Sequence, residues 1–289
     1  MQNYVITTDT GTDFDRAYVA EKGIEVLTMP LVIDKVDYPK ESRPSFKDFY
    51  QMLRNGSMAS TSMANVEEAR ELFEGYLSEG KDVLHICLSS GLSGSYENIK
   101  HLADDINQKY ENNKVVVIDS LTASGGPGLQ LIKAVENREA GMSVDENAAW
   151  LIDHAIKTRQ YFLVDDLACL IRGGRISKFS GLLGTALKIK PVLHLTAEGK
   201  IVPYAKAIGP KKAVNDLISF VERDFNPEDN DRIVISHADN FDFAKQVGDV
   251  LEKDLGVKCT YLEMSPTIGA HTGPGCISVF FFGAPRTDK

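Results

Sequence analysis

Residues 83–96 read Val-Leu-His-Ile-Cys-Leu-Ser-Ser-Gly-Leu-Ser-Gly-Ser-Tyr, and this stretch decides the fold. Its first six residues form an apolar run of strand length, the pattern of a strand covered on both faces. The next seven are serine and glycine around a single leucine, short side chains that let a backbone turn sharply. Beyond them Ile99, Leu102, Ala103, Ile106 and Tyr110 recur at three- and four-residue spacing, one buried face of a helix. Strand, tight turn and helix in that order make a βα unit. Further apolar runs at 4–8, 115–118 and 161–164, with helical patterns at 125–140 and 144–157, extend it into parallel βαβ packing.

Past residue 165 the texture changes. A glycine-rich, basic stretch at 172–190 leads into two short strand runs, 191–196 and 200–207, that read as a hairpin turned at 197–199. Helices are expected at 211–224, with Val214, Leu217, Ile218 and Val221 inward, and at 243–255, with Phe243, Val247, Val250 and Leu251 inward. Strand patterns at 232–236, 257–264 and 276–282 complete the set. The expected fold class is α/β: an N-terminal parallel-sheet βαβ domain over 1–164 and a C-terminal α+β domain over 165–289.

The chain of 289 residues is 43% hydrophobic and 25% charged, an ordinary globular composition with room for two domains. Its 32 basic and 41 acidic residues give a net charge of -9, which argues against a surface built to neutralise nucleic acid or anionic lipid. Residues 1–8 carry no basic-then-apolar export pattern, so a cytoplasmic location is expected. The uncharged stretch 264–285 is broken by Pro266, Pro274, Pro285, His271 and four glycines, so no stable membrane insertion is expected. Cys87, Cys169, Cys259 and Cys276 lack close spacing and sit among apolar neighbours, consistent with reduced, buried thiols.

Chemistry is expected where hydroxyl-rich segments follow strands, because ligands of open α/β sheets gather at strand ends. Three segments qualify: Thr7-Thr8-Asp9-Thr10-Gly11-Thr12-Asp13, Ser60-Thr61-Ser62, and residues 89–95. Backbone N–H groups at a helix start together with short hydroxyls favour an anion, although the same residues also serve as plain turns and caps. His271, in Gly269-Ala270-His271-Thr272-Gly273-Pro274-Gly275, is a candidate ligand in a loop whose glycines permit close approach. From Leu170 to Lys212 nine basic residues face one acid, Glu198, an island suited to an acidic or phosphate-bearing partner.

Rival motifs fail on spacing. Residues 75–82 resemble a phosphate loop but end in aspartate and precede their strand, while Gly91-Leu92-Ser93-Gly94-Ser95 lacks the final glycine of a nucleophile elbow. There is no G-x-G-x-x-G, and the six histidines are too dispersed for a metal spacing, so no metal is expected. Two enzymatic readings stay open: a phosphotransferase or sugar-phosphate enzyme using the hydroxyl turns as a phosphate cradle, and an acyl hydrolase with Ser93 as nucleophile, His271 as base and Asp9 as orienter.

Taken together, Thr7-Thr8-Asp9-Thr10, Ser60-Thr61-Ser62, SSGLSGSY (89–96), RGGRIS (172–177), LGTALKIKPVL (183–193), Ser236-His237-Ala238-Asp239-Asn240 and GAHTGPG (269–275) resemble the DegV family, whose better-known members are fatty-acid-binding subunits of bacterial fatty acid kinase. The resemblance spans nearly the whole chain. It implies a long-chain fatty acid held in a tunnel with its carboxylate near the cleft between the two domains, no other cofactor, and no catalytic residue of the chain's own. A separate kinase subunit would convert the presented acid to an acyl phosphate for phospholipid synthesis. Carried over by motif, carboxylate contacts fall on Thr61, Ser62, Ser93, Gly94 and His271, and the cleft edge on Gly173, Gly174 and Arg175. Kinase docking falls on Arg172, Lys206 and Lys211. The chain departs from the common family pattern at Met63-Ala64-Asn65, where Gln-Pro-Ser is usual, and at Ile208, where a basic residue is usual.

Overall fold

The deciding stretch folds as its pattern requires: a buried parallel strand, a serine-glycine turn and a helix. The computed structural model describes residues 4–176 and 189–287, so Ser177, Lys178, Lys188 and residues 183–187 of the motifs above lie outside the described residues. Strands β1 (Tyr4–Asp9), β2 (Glu25–Leu27), β6 (Asp82–Cys87) and β7 (Val115–Asp119) form a parallel sheet in the order β2-β1-β6-β7. Helices α1 (Arg16–Lys22), α3 (Val66–Ser78), α4 (Ser95–Asn107), α5 (Gly125–Glu139) and α6 (Val144–Ala155) connect or flank them.

Local chemistry sets the helix ends. Asn65 caps α3 by accepting from the Glu67 and Glu68 amides, and Ser143 with Glu146 closes a capping box on α6. The face expected on α4 is buried at Ile99, Leu102, Ala103 and Ile106, while Tyr110 lies beyond the helix end. A small antiparallel sheet, β4 (Val36–Asp37), β3 (Leu31–Ile33) and β5 (Ala59–Thr61), lies beside helix α2 (Phe46–Arg54) in chain order. These short elements escape sequence patterning because three residues carry no periodicity. Ser60-Thr61-Ser62 therefore sits on and just after an antiparallel strand, and not at the end of a parallel one as expected.

The second sheet has the order β10-β9-β8-β13-β11-β12, built from β8 (Thr158–Leu163), β9 (Ile189–Leu195), β10 (Ile201–Ile208), β11 (Arg232–His237), β12 (Lys258–Glu263) and β13 (Ile277–Phe282). Only β11 and β12 pair in parallel within it. The run at 161–164, read as a continuation of the parallel alternation, is thus corrected: it belongs to β8, antiparallel to both β13 and β9. An apolar run of strand length does not encode the direction of its partner. The sheet accordingly crosses the expected division at residue 164.

Helices α8 (Pro210–Asp224) and α9 (Phe241–Leu255) pack on the outer face, where Tyr161, Val192, Leu217, Ile235, Val247, Val279 and Phe281 form one core. Val250, expected inward on α9, is 38% exposed, because the buried stripe runs through Ala244, Val247, Gly248 and Leu251. On the inner face α5 lies against β8, β11 and β13 on one side and β1 and β6 on the other. Its first seven residues are all buried. Two short helices, α7 (Ala168–Arg172) and α10 (Pro266–Thr272), complete the set, and no described helix is long and apolar enough to cross a membrane.

The turn at 89–95 also closes on the hairpin. Ser89 Oγ donates to the Gly199 carbonyl at 3.1 Å, and a Cβ placed on Gly91 would lie 2.4 Å from the Glu198 carbonyl oxygen and 2.8 Å from that of Gly199. Both obstacles are backbone, so Gly91→Ala must push two loops apart. We expect it to lower unfolding stability by about 1–3 kcal/mol in denaturant titration. Gly75→Ala, in an open position of α3, is expected to gain about 0.5–1 kcal/mol under the same conditions.

Candidate functional site

Between the turn at 89–95, the inner face of the six-stranded sheet and helix α10 lies a cavity of about 380 Å³, within the ordinary range for small-molecule sites. Apolar side chains make most of its wall, among them Met29, Leu88, Leu92, Phe162, Leu170, Ile201, Met264 and Ile268. Thr61, Ser62, Ser93, Gly94 and His271 line it too, so the five residues selected from sequence as carboxylate contacts share one chamber. A wider groove of about 650 Å³ shares Thr61, Arg175 and His271 with it and runs outward past Lys35, Met58, Arg172 and Gly173. The three shared residues form the neck between them.

Each neck residue is held by its element. Thr61 ends β5, and its Oγ1 lies 2.9 Å from His271 Nε2. His271 is helical, not a loop residue as expected: it belongs to α10, which Ser265 caps by accepting from the Ile268 amide. The Ser265 cap and Pro266 in the first turn start this helix, and Gly269, where an added Cβ would sit 2.6 Å from Tyr50 Oη, lets it lie against α2. Gly173 acts likewise on the ring itself, since its Cβ would lie 2.5 Å from His271 Nδ1. Gly174 meets nothing but has φ of +68°, which favours glycine at the turn after α7.

Burial, and then the guanidinium groups of Arg175 and Arg172, push the His271 imidazole down to about 4. The ring is neutral at pH 7, with Nε2 toward Thr61 and Nδ1 buried without a hydrogen bond among the described residues. Ser93 Oγ lies 3.1 Å from Ser95 Oγ and accepts from the Ser95 amide at the start of α4. Gly94, the N-cap of α4, offers no side-chain cap, and a Cβ there would strike Met63 Sδ at 2.8 Å. Arg175 lines the chamber instead of merely edging the cleft, but Nε and Nη1 of its fork are spent on the Leu92 and Gly173 carbonyls.

The hydrolase geometry does not form. Ser93 pairs with Ser95 and not with His271, and Asp9 lies fully buried with its carboxylate accepting from the Gly11 and Leu88 amides at 2.7 and 3.0 Å. Asp9, pushed up to about 6 by burial, braces the end of β1. One group among the described residues could hold a metal, Asp9, His85 and Cys87, with ligand atoms within 4.8 Å. Asp9 is committed to backbone amides and His85 Nδ1 to Thr7 Oγ1 at 2.8 Å, so the group is a buried polar knot. Strand spacing hid it, because its members come from adjacent strands.

Arg172, Lys206 and Lys211, the expected docking residues, are all exposed. Lys200 and Lys212 of the basic island pair with Glu198 and Asp216. Sequence reasoning missed the apolar wall, since its members are scattered over strands, helices and the loops at 29, 88–92 and 264, and each reads as an ordinary core position. It also missed Gln160 and Ser278, two polar wall residues set in strand patterns.

This geometry can be compared with known proteins. The family model described as uncharacterised protein, DegV family, matches residues 3–284. A DegV domain-containing protein of Clostridium perfringens is 33% identical over 286 residues, covering 98% of both chains. Among solved structures, a DegV lipid-binding protein of Thermotoga maritima aligns with a TM-score of 0.83 at 28% identity, covering 99% of this chain and 100% of its own. DegV of Bacillus subtilis, a fatty-acid-binding protein, aligns with a TM-score of 0.84 at 27% identity, covering 98% of this chain and 100% of its own. A family match over almost every residue, with a shared mixed α/β fold, means that the chain belongs to the DegV family.

Proposed function

We propose that the chain binds one long-chain fatty acid, with the acyl tail in the 380 Å³ chamber and the carboxylate at the neck. The observation that carries this reading is a mostly apolar chamber ending in a cluster of short hydroxyls and one neutral imidazole. About fifteen methylenes at roughly 0.8 kcal/mol each offer about 12 kcal/mol before ordering costs, so the tail dominates affinity. Two or three hydrogen bonds to a charged group, at about 1.5–3 kcal/mol each before lost hydration, fix which end faces out. Thr61, Ser62, Ser93, the Gly94 backbone and His271 supply them. Gly173 and Gly174 shape the edge, and Arg175 tunes the field without closing its fork on the ligand. Sequence and fold relatives support the reading, because those from Bacillus subtilis and Thermus thermophilus are fatty-acid-binding proteins.

In this reading the chain is a carrier in the cytoplasm. It presents the carboxylate through the outer groove to a separate kinase subunit, which docks on Arg172, Lys206 and Lys211 and makes an acyl phosphate for phospholipid synthesis. The two proposed units, 1–164 and 165–289, share the tail between them, with β8 contributed across the division. A phosphate cradle is disfavoured by the apolar wall.

Native mass spectrometry of the purified protein, followed by lipid extraction, is expected to give an adduct of fatty-acid mass; a lipid-free protein that binds no added fatty acid contradicts the proposal. Ser93→Ala and His271→Ala are expected to lower acyl phosphate formation with the kinase about tenfold or more while retaining lipid, and equal loss of both would count against the carrier role. A bound carboxylate beside the ring stabilises the imidazolium, so saturation with fatty acid should raise the His271 pKa from about 4 toward its ordinary value in an NMR titration. The sign for the free protein is opposite: the folded value lies below the unfolded one, so His271 costs stability as pH falls from about 6.5 to about 4.

A further inference from the structure

The chamber holds a second polar position, away from the neck, on the floor made by the six-stranded sheet. Ser278 lies on β13, the fourth strand of that sheet, and is 1% exposed, with no hydrogen-bond partner for its Oγ among the described residues. Gln160 lies on neighbouring β8. The register pairs Ser278 with Phe162 and Phe280 with Gln160, so Gln160 and Ser278 are diagonal neighbours on one face. Both line the chamber. Thr122 Oγ1 donates to Gln160 Oε1 at 2.8 Å, which orients the amide and leaves Nε2 with no hydrogen bond among the described residues. Ser124, at the amino end of α5, lines the same region, but its hydroxyl is committed to Asp13.

An unsubstituted hydrocarbon tail satisfies neither Ser278 nor Gln160. Burying a hydroxyl without a partner carries a cost, and a site that keeps one discriminates in favour of ligands that answer it. A hydroxyl on the acyl chain can accept from Gln160 Nε2 and exchange a hydrogen bond with Ser278 Oγ, while the methylenes on either side keep the apolar wall. The partial positive charge at the start of α5 favours the same oxygen.

We infer that the chamber selects an oxygenated acyl chain, a hydroxy fatty acid whose mid-chain oxygen is read by Ser278 and Gln160. The inference rests on the fatty-acid reading above and specifies its substrate class. The test is competitive binding of stearic acid against hydroxystearic acids carrying the hydroxyl at successive positions, on the delipidated full chain. One positional isomer is expected to bind about threefold to tenfold more tightly than stearic acid. Ser278→Ala is expected to abolish that preference and, by removing the unpartnered hydroxyl, to bind stearic acid at least as tightly as the unsubstituted chain; Gln160→Leu is expected to remove the preference likewise should Ser278→Ala fail to fold. Equal or weaker binding of every hydroxystearic acid overturns the inference and leaves the fatty-acid reading intact, as does a preference that survives both substitutions. Failure of all the acids to bind overturns both.

Discussion

The close approach of α5 to two sheets is the constraint on which the rest of the molecule depends. Three of the four residues of its first turn, Gly125-Gly126-Pro127-Gly128, are glycines with no room for a side chain: Cβ atoms on Gly125, Gly126 and Gly128 would lie 2.6 Å from Ser236 Oγ, 2.3 Å from Thr122 Oγ1 and 2.3 Å from the Asp13 carbonyl oxygen. A larger residue at Gly125 would strike β11 and β13, one at Gly126 the Thr122 side chain, and one at Gly128 the backbone of the loop after β1. The helix is thus a thin spacer, and the chamber occupies the volume beside its amino end, where Ala123 and Ser124 form part of the wall. Asp13 ties this junction. Its carboxylate accepts from Ser124 Oγ and from the Ser265 amide, joining the loop after β1, the start of α5 and the cap of α10.

Because α10 is fixed by that junction and by its glycine contact with α2, the position of His271 follows from packing and needs no ligand to set it. The neck is therefore pre-organised, which reduces the ordering cost of binding a head group. Its electrostatics are also a product of packing. Burial and two nearby guanidinium groups hold the imidazole neutral, and the Arg175 fork is turned onto backbone carbonyls. The field at the neck is positive, yet no bidentate clamp closes on a carboxylate. In the proposed reading, a weakly held head and a strongly held tail is the balance a carrier needs.

Much of the site was legible before any coordinates, and the reasons are particular. Ser93 and Gly94 stand in a strand–turn–helix pattern whose geometry is local, so their place at the start of α4 could be read from spacing alone. Thr61 and His271 lie 210 residues apart in the chain, and their contact was reachable only through the family resemblance. Gln160 and Ser278 could not be found either way. Each sits in a run that reads as ordinary strand, and their adjacency depends on which strands pair and in which register. The misassigned direction of β8 has the same origin.

The sequence by itself determined the longer local elements, the α/β class and the family, because apolar periodicity, caps and short hydroxyl turns act over a few residues and leave their mark in the order of side chains. Tertiary structure alone decided that β8 joins the second sheet, that the GAHTGPG stretch begins inside a helix, and that apolar positions from distant elements leave a chamber between them unfilled. Those outcomes depend on how surfaces meet across long separations in the chain, where each position reports only that it is buried, and not against what.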